Sequence, residues 1–388
     1  MRDVDAARAA FAEVFGGDEG VRTFFAPGRV NLIGDHIDYS GGLVLPIALD
    51  RGTLLLVRPR ADTLLRAVSL DRAGMVTADI AATAFDPAHD WFSYVLGVLH
   101  VLGEDGYRLD TGLDIVVAGD IPDGAGLSSS ASLELAAAAA FDAVGGFGLA
   151  ATDLALIGQR TENDYIGVSC GIMDQLAVAR GRARHALLMD CETLTVDYVP
   201  FPHDELSLII ANSNHRRSLA GSAYNERRRA VESAADILGI ERLVEAQLAQ
   251  IDAAGARLTE EEVRRARHTV TEQARVVAAA AALRSGDFAE LGALMRASHE
   301  SLRDDFDVTG PQLDALAEAA WAQPGVIGAR MTGAGFGGCA VVLAQPGREA
   351  EVMAGIDAAY FPITGLHADC FVVGSDDGAR ELRDGVVG

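Results

Sequence analysis

The 388-residue chain contains no lysine: all 32 of its basic residues are arginine. That absence removes whole classes of chemistry. A Walker-type phosphate loop requires Gly-Lys-Ser/Thr, and protein kinases require a strand lysine. Schiff-base catalysis and lysine-anchored pyridoxal phosphate are excluded for the same reason. A nucleotide bound by this chain is therefore held by backbone, hydroxyls, arginine and metal. Cysteine is scarce as well. Cys170, Cys191, Cys339 and Cys370 have neither CxxC nor zinc-ligand spacing, and they read as reduced, mostly buried thiols of a cytoplasmic protein. No apolar run reaches the roughly 18–20 residues of a membrane span. The opening residues, MRDVDAARAAFAEVFG, read as an amphipathic helix rather than a signal peptide. Positive charge is in the minority: the net charge of -24 argues against non-specific binding to nucleic acid or anionic membrane, while leaving room for a local basic pocket.

What is present alternates strand and helix patterns, with no low-complexity segment and no clear repeat. Strands are expected at 44–48, 53–57, 113–118, 185–189 and 206–211, and again at 338–344 and 368–373. Helices are expected at 132–143, 151–165, 222–238 and 260–284, the last two charged on one face as exposed helices are. A chain of this length is long for one core, so two lobes are expected. The segment 196–205, with Pro200 and Pro202, is the candidate crossing between them. The fold class is α+β, or mixed α/β.

Four segments carry chemistry. IPDGAGLSSSASLEL, 121–135, sets two glycines and four serines between a strand and an Ala-rich helix. Backbone N–H groups turned by glycine at a helix start form an anion cradle. The hydroxyls of Ser128, Ser129, Ser130 and Ser132 are candidates for phosphate oxygens or magnesium; a plain Gly/Ser loop with a serine N-cap fits the same letters. APGRVNLIGDHIDYSGGLVLPIAL, 26–49, places Arg29, Asp35, His36 and Asp38 on a glycine-bounded loop suited to a polyol, though turn chemistry and a surface ion pair also fit. TENDYIGVSCGIMDQLAVARG, 161–181, sets Asp174 after an almost apolar stretch, where burial demands a partner; Arg29 is one candidate, and a helix cap is the alternative. MTGAGFGGC, 331–339, is a third glycine cluster entering a strand, either a close-approach loop or a tight turn. A further polar stretch, 212–235, contains Tyr224 ahead of a basic helix and reads as a ligand contact or as a solvated helix face.

Taken together, these segments resemble the galactokinases of the GHMP kinase superfamily, in order and spacing across nearly the whole chain. GRVNLIGDHIDYSGG is similar to the signature GRVNLIGEHTDYNGG, and GAGLSSSAS to the superfamily ATP loop. GIMDQ and GARMTGAGFGGC match later motifs, and SLRDDFDVTGPQLD (301–314) and WFSYVLGV (91–98) are also galactokinase-like. The resemblance implies a two-lobed GHMP kinase fold, with a ribosomal-protein-S5-like N-terminal domain over 1–200 and a ferredoxin-like C-terminal domain over 201–388.

It also implies roles by position. Asp174 would be the catalytic base toward the anomeric hydroxyl of the sugar, with Arg29 beside it. Asp35, His36, Ile37 and Asp38 would form the sugar site, completed by the Gly171 backbone and Tyr224. Gly124, Ala125, Gly126, Leu127, Ser128, Ser129 and Ser130 would wrap the ATP phosphates, and Ser69 and Trp91 match positions near the adenosine. Ser130 and Glu162 would hold Mg²⁺, with water and phosphate filling its octahedron. The implied reaction converts ATP and α-D-galactose to ADP and α-D-galactose 1-phosphate, in a cytoplasmic monomer without nucleic-acid or membrane partners. The missing lysine agrees, because galactokinases pair their base with arginine where the mevalonate kinase branch uses lysine.

The sugar loop departs from the family pattern. Asp35 stands where Glu is usual and is roughly 1.5 Å shorter in reach, so a water-mediated sugar contact is expected there. Ile37 replaces Thr, and Ser40 replaces Asn. N-acetylgalactosamine kinases of the same family also carry Ile after the His, so a kinase for that or another galactose-like sugar is the first alternative. A non-catalytic galactose- and ATP-sensing regulator is the second; it is disfavoured because Ser130, Ala131, Asp174 and Arg29 are all present.

Overall fold

Asp3 starts the first helix, α1 (Val4–Phe15), by accepting the N–H groups of Asp5 and Ala6, and left-handed Gly16 ends it. The computed structural model describes residues 3–122, 124–215 and 220–382. Asp123 in the phosphate-loop segment and residues 216–219 in the polar segment 212–235 lie outside the described residues.

After α1 come β1 (Arg22–Asn31), β2 (Leu43–Val44), β3 (Pro46–Pro59), β4 (Leu64–Ser69), β5 (Met75–Asp79), α2 (Phe92–Glu104) and β6 (Leu113–Gly119). Three helices follow, α3 (Ser129–Gly145), α4 (Ala151–Arg160) and α5 (Met173–Arg180), then β7 (His185–Asp190), β8 (Val196–Pro200) and β9 (Ser207–Asn212). The rest is α6 (Ala220–Leu238), α7 (Leu248–Ala254), α8 (Glu260–Ser285), α9 (Phe288–Ser301), α10 (Gly310–Trp321), β10 (Val326–Met331), β11 (Cys339–Ala344), α11 (Glu349–Thr364), β12 (Asp369–Val373) and β13 (Arg380–Leu382).

The strands form three sheets. Six strands run in the order β13-β1-β3-β6-β4-β5, four in the order β10-β11-β9-β12, and three in the order β2-β7-β8. The Ala-rich stretch of α3 is buried from Leu135 to Phe141 and packs on β1 and β3, its small side chains letting helix and sheet approach closely. The segment 196–205 does cross between sheets: β8 ends at Pro200 in the three-stranded sheet, buried Phe201 anchors the turn, and β9 opens in the four-stranded sheet. Strand β13 pairs antiparallel with β1, so the last described residues return to the first sheet.

Two expectations need correction. The strands expected at 44–48 and 53–57 are not separate: β2 stops at Val44 and β3 runs unbroken from Pro46 to Pro59. Gly52 is the reason the pattern misleads. A Cβ there would stand 2.1 Å from the Ala26 carbonyl oxygen, so this glycine serves a close approach to β1 and not a turn. The helix expected at 151–165 is α-helical only to Arg160; a π-helical turn, Thr161–Ile166, follows it. Such widened turns re-aim side chains within a helix, and this one carries Glu162.

Candidate active site

β1 delivers Arg29 into the seam between the sheets, and the first turn of α5 delivers Asp174. Arg29 Nε donates to Asp174 Oδ1 at 2.8 Å, and Arg29 Nη1 donates to the Gly126 carbonyl at 2.7 Å. One guanidinium, 3% exposed, thereby braces both the carboxylate and the glycine-serine loop. The other carboxylate oxygen is occupied too: Ser128 Oγ donates to Asp174 Oδ2 at 2.7 Å. Ser128 reaches it from a left-handed backbone, φ 61°. Asp174 is thus fixed in rotation by two donors on opposite oxygens.

This carboxylate faces a cavity of ≈ 370 Å³ lined by Arg29, Asp35, His36, Asp38, Glu162, Gly171, Asp174 and Tyr224, together with Val168, Cys170, Met173, Asn225, Gly333 and Ala334. Asp38 is the polar floor. Burial, with the Asp174 and Asp35 charges adding to it, raises its carboxyl from 3.8 to about 6, against N–H donors from Tyr39 and Met173. It fits because residue 171 is glycine: a Cβ there would lie 1.8 Å from Asp38 Oδ2. Tyr224 of α6 forms a wall with His36, ring centroids 5.4 Å apart, and burial pushes its phenol well above the usual 10.

In the rest of the sugar loop, His36 and Asp35 line the cavity and Ile37 does not. Ile37 does not line the cavity; its side chain is fully buried in the hydrophobic core, with Cβ and Cγ1 facing Gly42. The Ile-for-Thr replacement thus exchanges a polar for an apolar group in the support of the loop. His36 lines the cavity, but its nitrogens are taken. Burial lowers its pKa from 6.5 to about 3, so the ring is neutral, Nε2–H donates to the Ala334 carbonyl at 3.2 Å, and Nδ1 accepts the Tyr39 hydroxyl at 3.5 Å. Asp35 reaches the wall with 1% exposure, its Oδ2 2.7 Å from Arg330 Nη1 and its Oδ1 accepting the Gly333 N–H at 3.1 Å. Burial raises its pKa, and the Arg330 and Arg29 charges oppose that rise. Its two oxygens are turned to the protein, where a water-mediated sugar contact was expected.

A second cavity, ≈ 510 Å³, is lined by Ser69, Trp91, Tyr94, Asp120, Ser129 and Ser130 among others. The turn between the cavities contains Gly124 and Gly126, both at positive φ, followed by the N-terminus of α3, which no side chain caps. First-turn N–H groups there are available to an anion. The side chains of Ala125 and Leu127 are buried, so these two residues offer only backbone, and the Leu127 carbonyl accepts the Arg29 N–H. Ser132 is not part of any cradle; its hydroxyl is fully buried and donates to the Ala26 carbonyl at 2.8 Å.

Ser130 borders the second cavity and Glu162 the first, and the two side chains hydrogen-bond to each other. Burial raises the Glu162 carboxyl, and the Asp174 charge adds to that rise, while the Ser130 bond lowers it. The donors are hard oxygens, two in number, on the boundary between the cavities. That set fits Mg²⁺, which keeps waters and phosphate oxygens as most of its ligands. Among the described residues there is no group of three or more His, Cys, Asp or Glu that could enclose a metal in protein ligands alone. None of the four cysteines is joined in a disulfide.

Sequence reasoning missed Arg330, Cys170 and Tyr39, and it did not find the bond from Ser128 to Asp174. A signal for Arg330 exists: an arginine within the apolar strand β10 is fully buried and needs a carboxylate to balance it. Nothing local in 121–135 connects Ser128 to Asp174, 46 positions on.

Comparison with known proteins agrees with this geometry. Three family models match: the galactokinase galactose-binding signature at residues 9–59, the GHMP kinases N terminal domain at 93–182 and the GHMP kinases C terminal at 279–362. The chain is 45% identical over 376 residues to a galactokinase of Exiguobacterium sibiricum, covering 96% of each. It is 42% identical over 383 residues to that of Bacillus subtilis, covering 97% of this chain and 98% of the relative. The crystal structure of Lactococcus lactis galactokinase complexed with galactose superposes with a TM-score of 0.95 at 38% identity, over 98% of this chain and 100% of that one. The Methanococcus jannaschii mevalonate kinase shares the fold, with a TM-score of 0.68 at 17% identity, over 92% of this chain and 98% of that one.

Proposed function

The chain belongs to the galactokinase family of the GHMP kinases, and we propose that it phosphorylates α-D-galactose at the C1 hydroxyl with Asp174 as the base. The observation that carries this assignment is the double clamp on Asp174, with Arg29 on one oxygen and Ser128 on the other, at the wall of a sugar-sized cavity. Asp174 takes the proton of the anomeric hydroxyl. The freed oxygen attacks the γ-phosphorus of ATP, the bond from that phosphorus to the β,γ-bridging oxygen breaks, and ADP leaves. Arg29 keeps Asp174 oriented and offers positive charge to the transferring phosphoryl group. Asp38 and the Gly171 backbone face the sugar hydroxyls, Tyr224 and His36 together form one wall beside it, and Asp35 shapes the end wall.

The turn 124–130 and the start of α3 would receive the phosphates, with Ser69 and Trp91 flanking the nucleoside. Ser130 and Glu162 would hold Mg²⁺, which when bound neutralises phosphate charge. The division into domains 1–200 and 201–388 belongs to the same reading, with β13 reaching back to the first sheet. So do monomeric action and a cytoplasmic location.

The test is a coupled ADP-release assay with Mg·ATP against galactose, N-acetylgalactosamine, glucose, arabinose and no sugar. Galactose-dependent turnover well above the others is expected. Turnover with another sugar alone contradicts galactose as the substrate, and binding of galactose without turnover returns the sensor reading.

A further inference from the structure

The sugar loop, residues 33–43, leaves and re-enters the first lobe, but its backbone is held from the other half of the chain. Glu272 Oε1 accepts the N–H of Gly34 at 2.9 Å, and Gln273 Oε1 accepts the N–H of Leu43 at 2.8 Å. Between these, His268 Nε2–H donates to the Asp35 carbonyl at 3.2 Å. The three side chains sit at positions 268, 272 and 273, on one face of α8, more than 200 residues from the loop they grip. They tie down both ends of the loop and the peptide that precedes His36.

That grip is itself built. Glu272 and His268 are fully buried. Ser298 Oγ of α9 donates to Glu272 Oε1, Arg275 Nε donates to Glu272 Oε2 at 2.7 Å, and the His268 Nδ1 accepts the Ser301 hydroxyl at 2.9 Å. Burial acts to raise the Glu272 carboxyl, but the charges of Arg275, His268 and Arg330 and the Ser298 hydrogen bond together outweigh it, and the group sits at about 2. None of the three residues lines the sugar cavity, and none falls in the motifs that carry the family resemblance. The loop they hold carries His36 at φ 65°, a left-handed conformation that a residue other than glycine keeps only where surroundings impose it.

We propose that Glu272, Gln273 and His268 are positioning residues for the sugar: α8 sets the shape of the sugar loop, and with it the placement of Asp38, without touching the ligand. This rests on the reading of the first cavity as the sugar site. Its consequence is selective. Loss of the grip weakens sugar binding and leaves the second cavity, lined from β3, β4, β6, α2 and α3, as it was.

The test measures KM for galactose and for ATP, kcat and melting temperature in the full chain, for Glu272→Ala, Glu272→Gln and Gln273→Ala. Glu272→Ala leaves the buried Gly34 N–H without an acceptor and is expected to raise the galactose KM roughly tenfold, with the ATP KM within about twofold. Glu272→Gln keeps an amide oxygen for Gly34 N–H and Ser298 and should recover most of the affinity. Gln273→Ala, at a half-buried position that tolerates truncation, should shift the galactose KM in the same direction by a smaller factor, which keeps the test decisive should Glu272→Ala fail to fold. Parallel changes in both KM values, or a lower melting temperature with an unchanged galactose KM, overturn the proposal. The unaltered chain run alongside separates the two failures: absence of galactose turnover there refutes the sugar-site reading and this inference with it, whereas normal turnover without a KM split refutes only the inference.

Discussion

Arg29 and Asp174 lie 145 positions apart and meet at 2.8 Å, with the same guanidinium reaching on to the carbonyl of Gly126. The Asp174 carboxylate and the glycine-serine turn are therefore held by one buried cation. A lysine could make one of these contacts as a point charge, but the fork of a guanidinium makes both.

Ser128 completes the clamp, and its removal tests whether the second donor matters. Ser128→Ala frees Asp174 Oδ2 and lets the carboxylate turn about Arg29. A fall in kcat of roughly 5- to 20-fold is expected, with the galactose KM changed less. Steady-state kinetics on the purified variant decide it; an unchanged kcat would make the hydroxyl a bystander.

Asp38 gives the site a pH dependence with a defined sign. Its folded-state pKa of about 6 exceeds the ordinary 3.8, chiefly through burial. The unliganded fold therefore favours the protonated carboxyl: this stabilisation is complete below pH 4 and is lost as pH rises through 6. Sugar hydroxyls, by contrast, donate best to the anion. The galactose KM should rise as pH falls from 7.5 to 5.5, and more steeply than the ATP KM. Asp38→Asn should raise unliganded stability at pH 8, by on the order of 2 kcal/mol, while weakening galactose binding. Melting curves and galactose titrations at the two pH values check both halves.

The metal assignment predicts a shift in magnesium demand. Ser130→Ala and Glu162→Gln each remove or weaken one oxygen donor at the boundary of the two cavities. At fixed ATP, the Mg²⁺ concentration for half-maximal velocity should move upward by roughly tenfold in each. A magnesium titration curve superimposable on that of the unaltered chain takes the residue out of the metal shell.

Much of this site is legible in the sequence because its chemistry is local and unusual. Asp174 in an apolar stretch demands a cation, and a chain without lysine leaves arginine to supply it. The serine-rich turn before an Ala-rich helix announces an anion site, and the helix forms as read. What stays hidden is long-range. The bond from Ser128 to Asp174 exists only because the fold brings α5 against the turn. Ile37 occupies a position of the signature, but strict burial makes it support and not surface. The partner of Asp35 is hidden because Arg330 lies nearly 300 positions away, in β10. The strands at 44–48 and 53–57 read as separate, although β3 is continuous from Pro46 and Gly52 within it marks a close approach to β1. The π turn at Thr161–Ile166 has no signal in helical periodicity, yet it carries Glu162 to the cavity boundary.

The most direct test of the central claim is Asp174→Asn, measured for galactose-dependent ADP release and, separately, for galactose binding by calorimetry. The amide keeps the shape and a contact to Arg29 but does not accept the proton of the anomeric hydroxyl. The expected result is a kcat lower by about 10²- to 10⁴-fold with galactose still bound. A kcat near that of the unaltered chain would contradict Asp174 as the base.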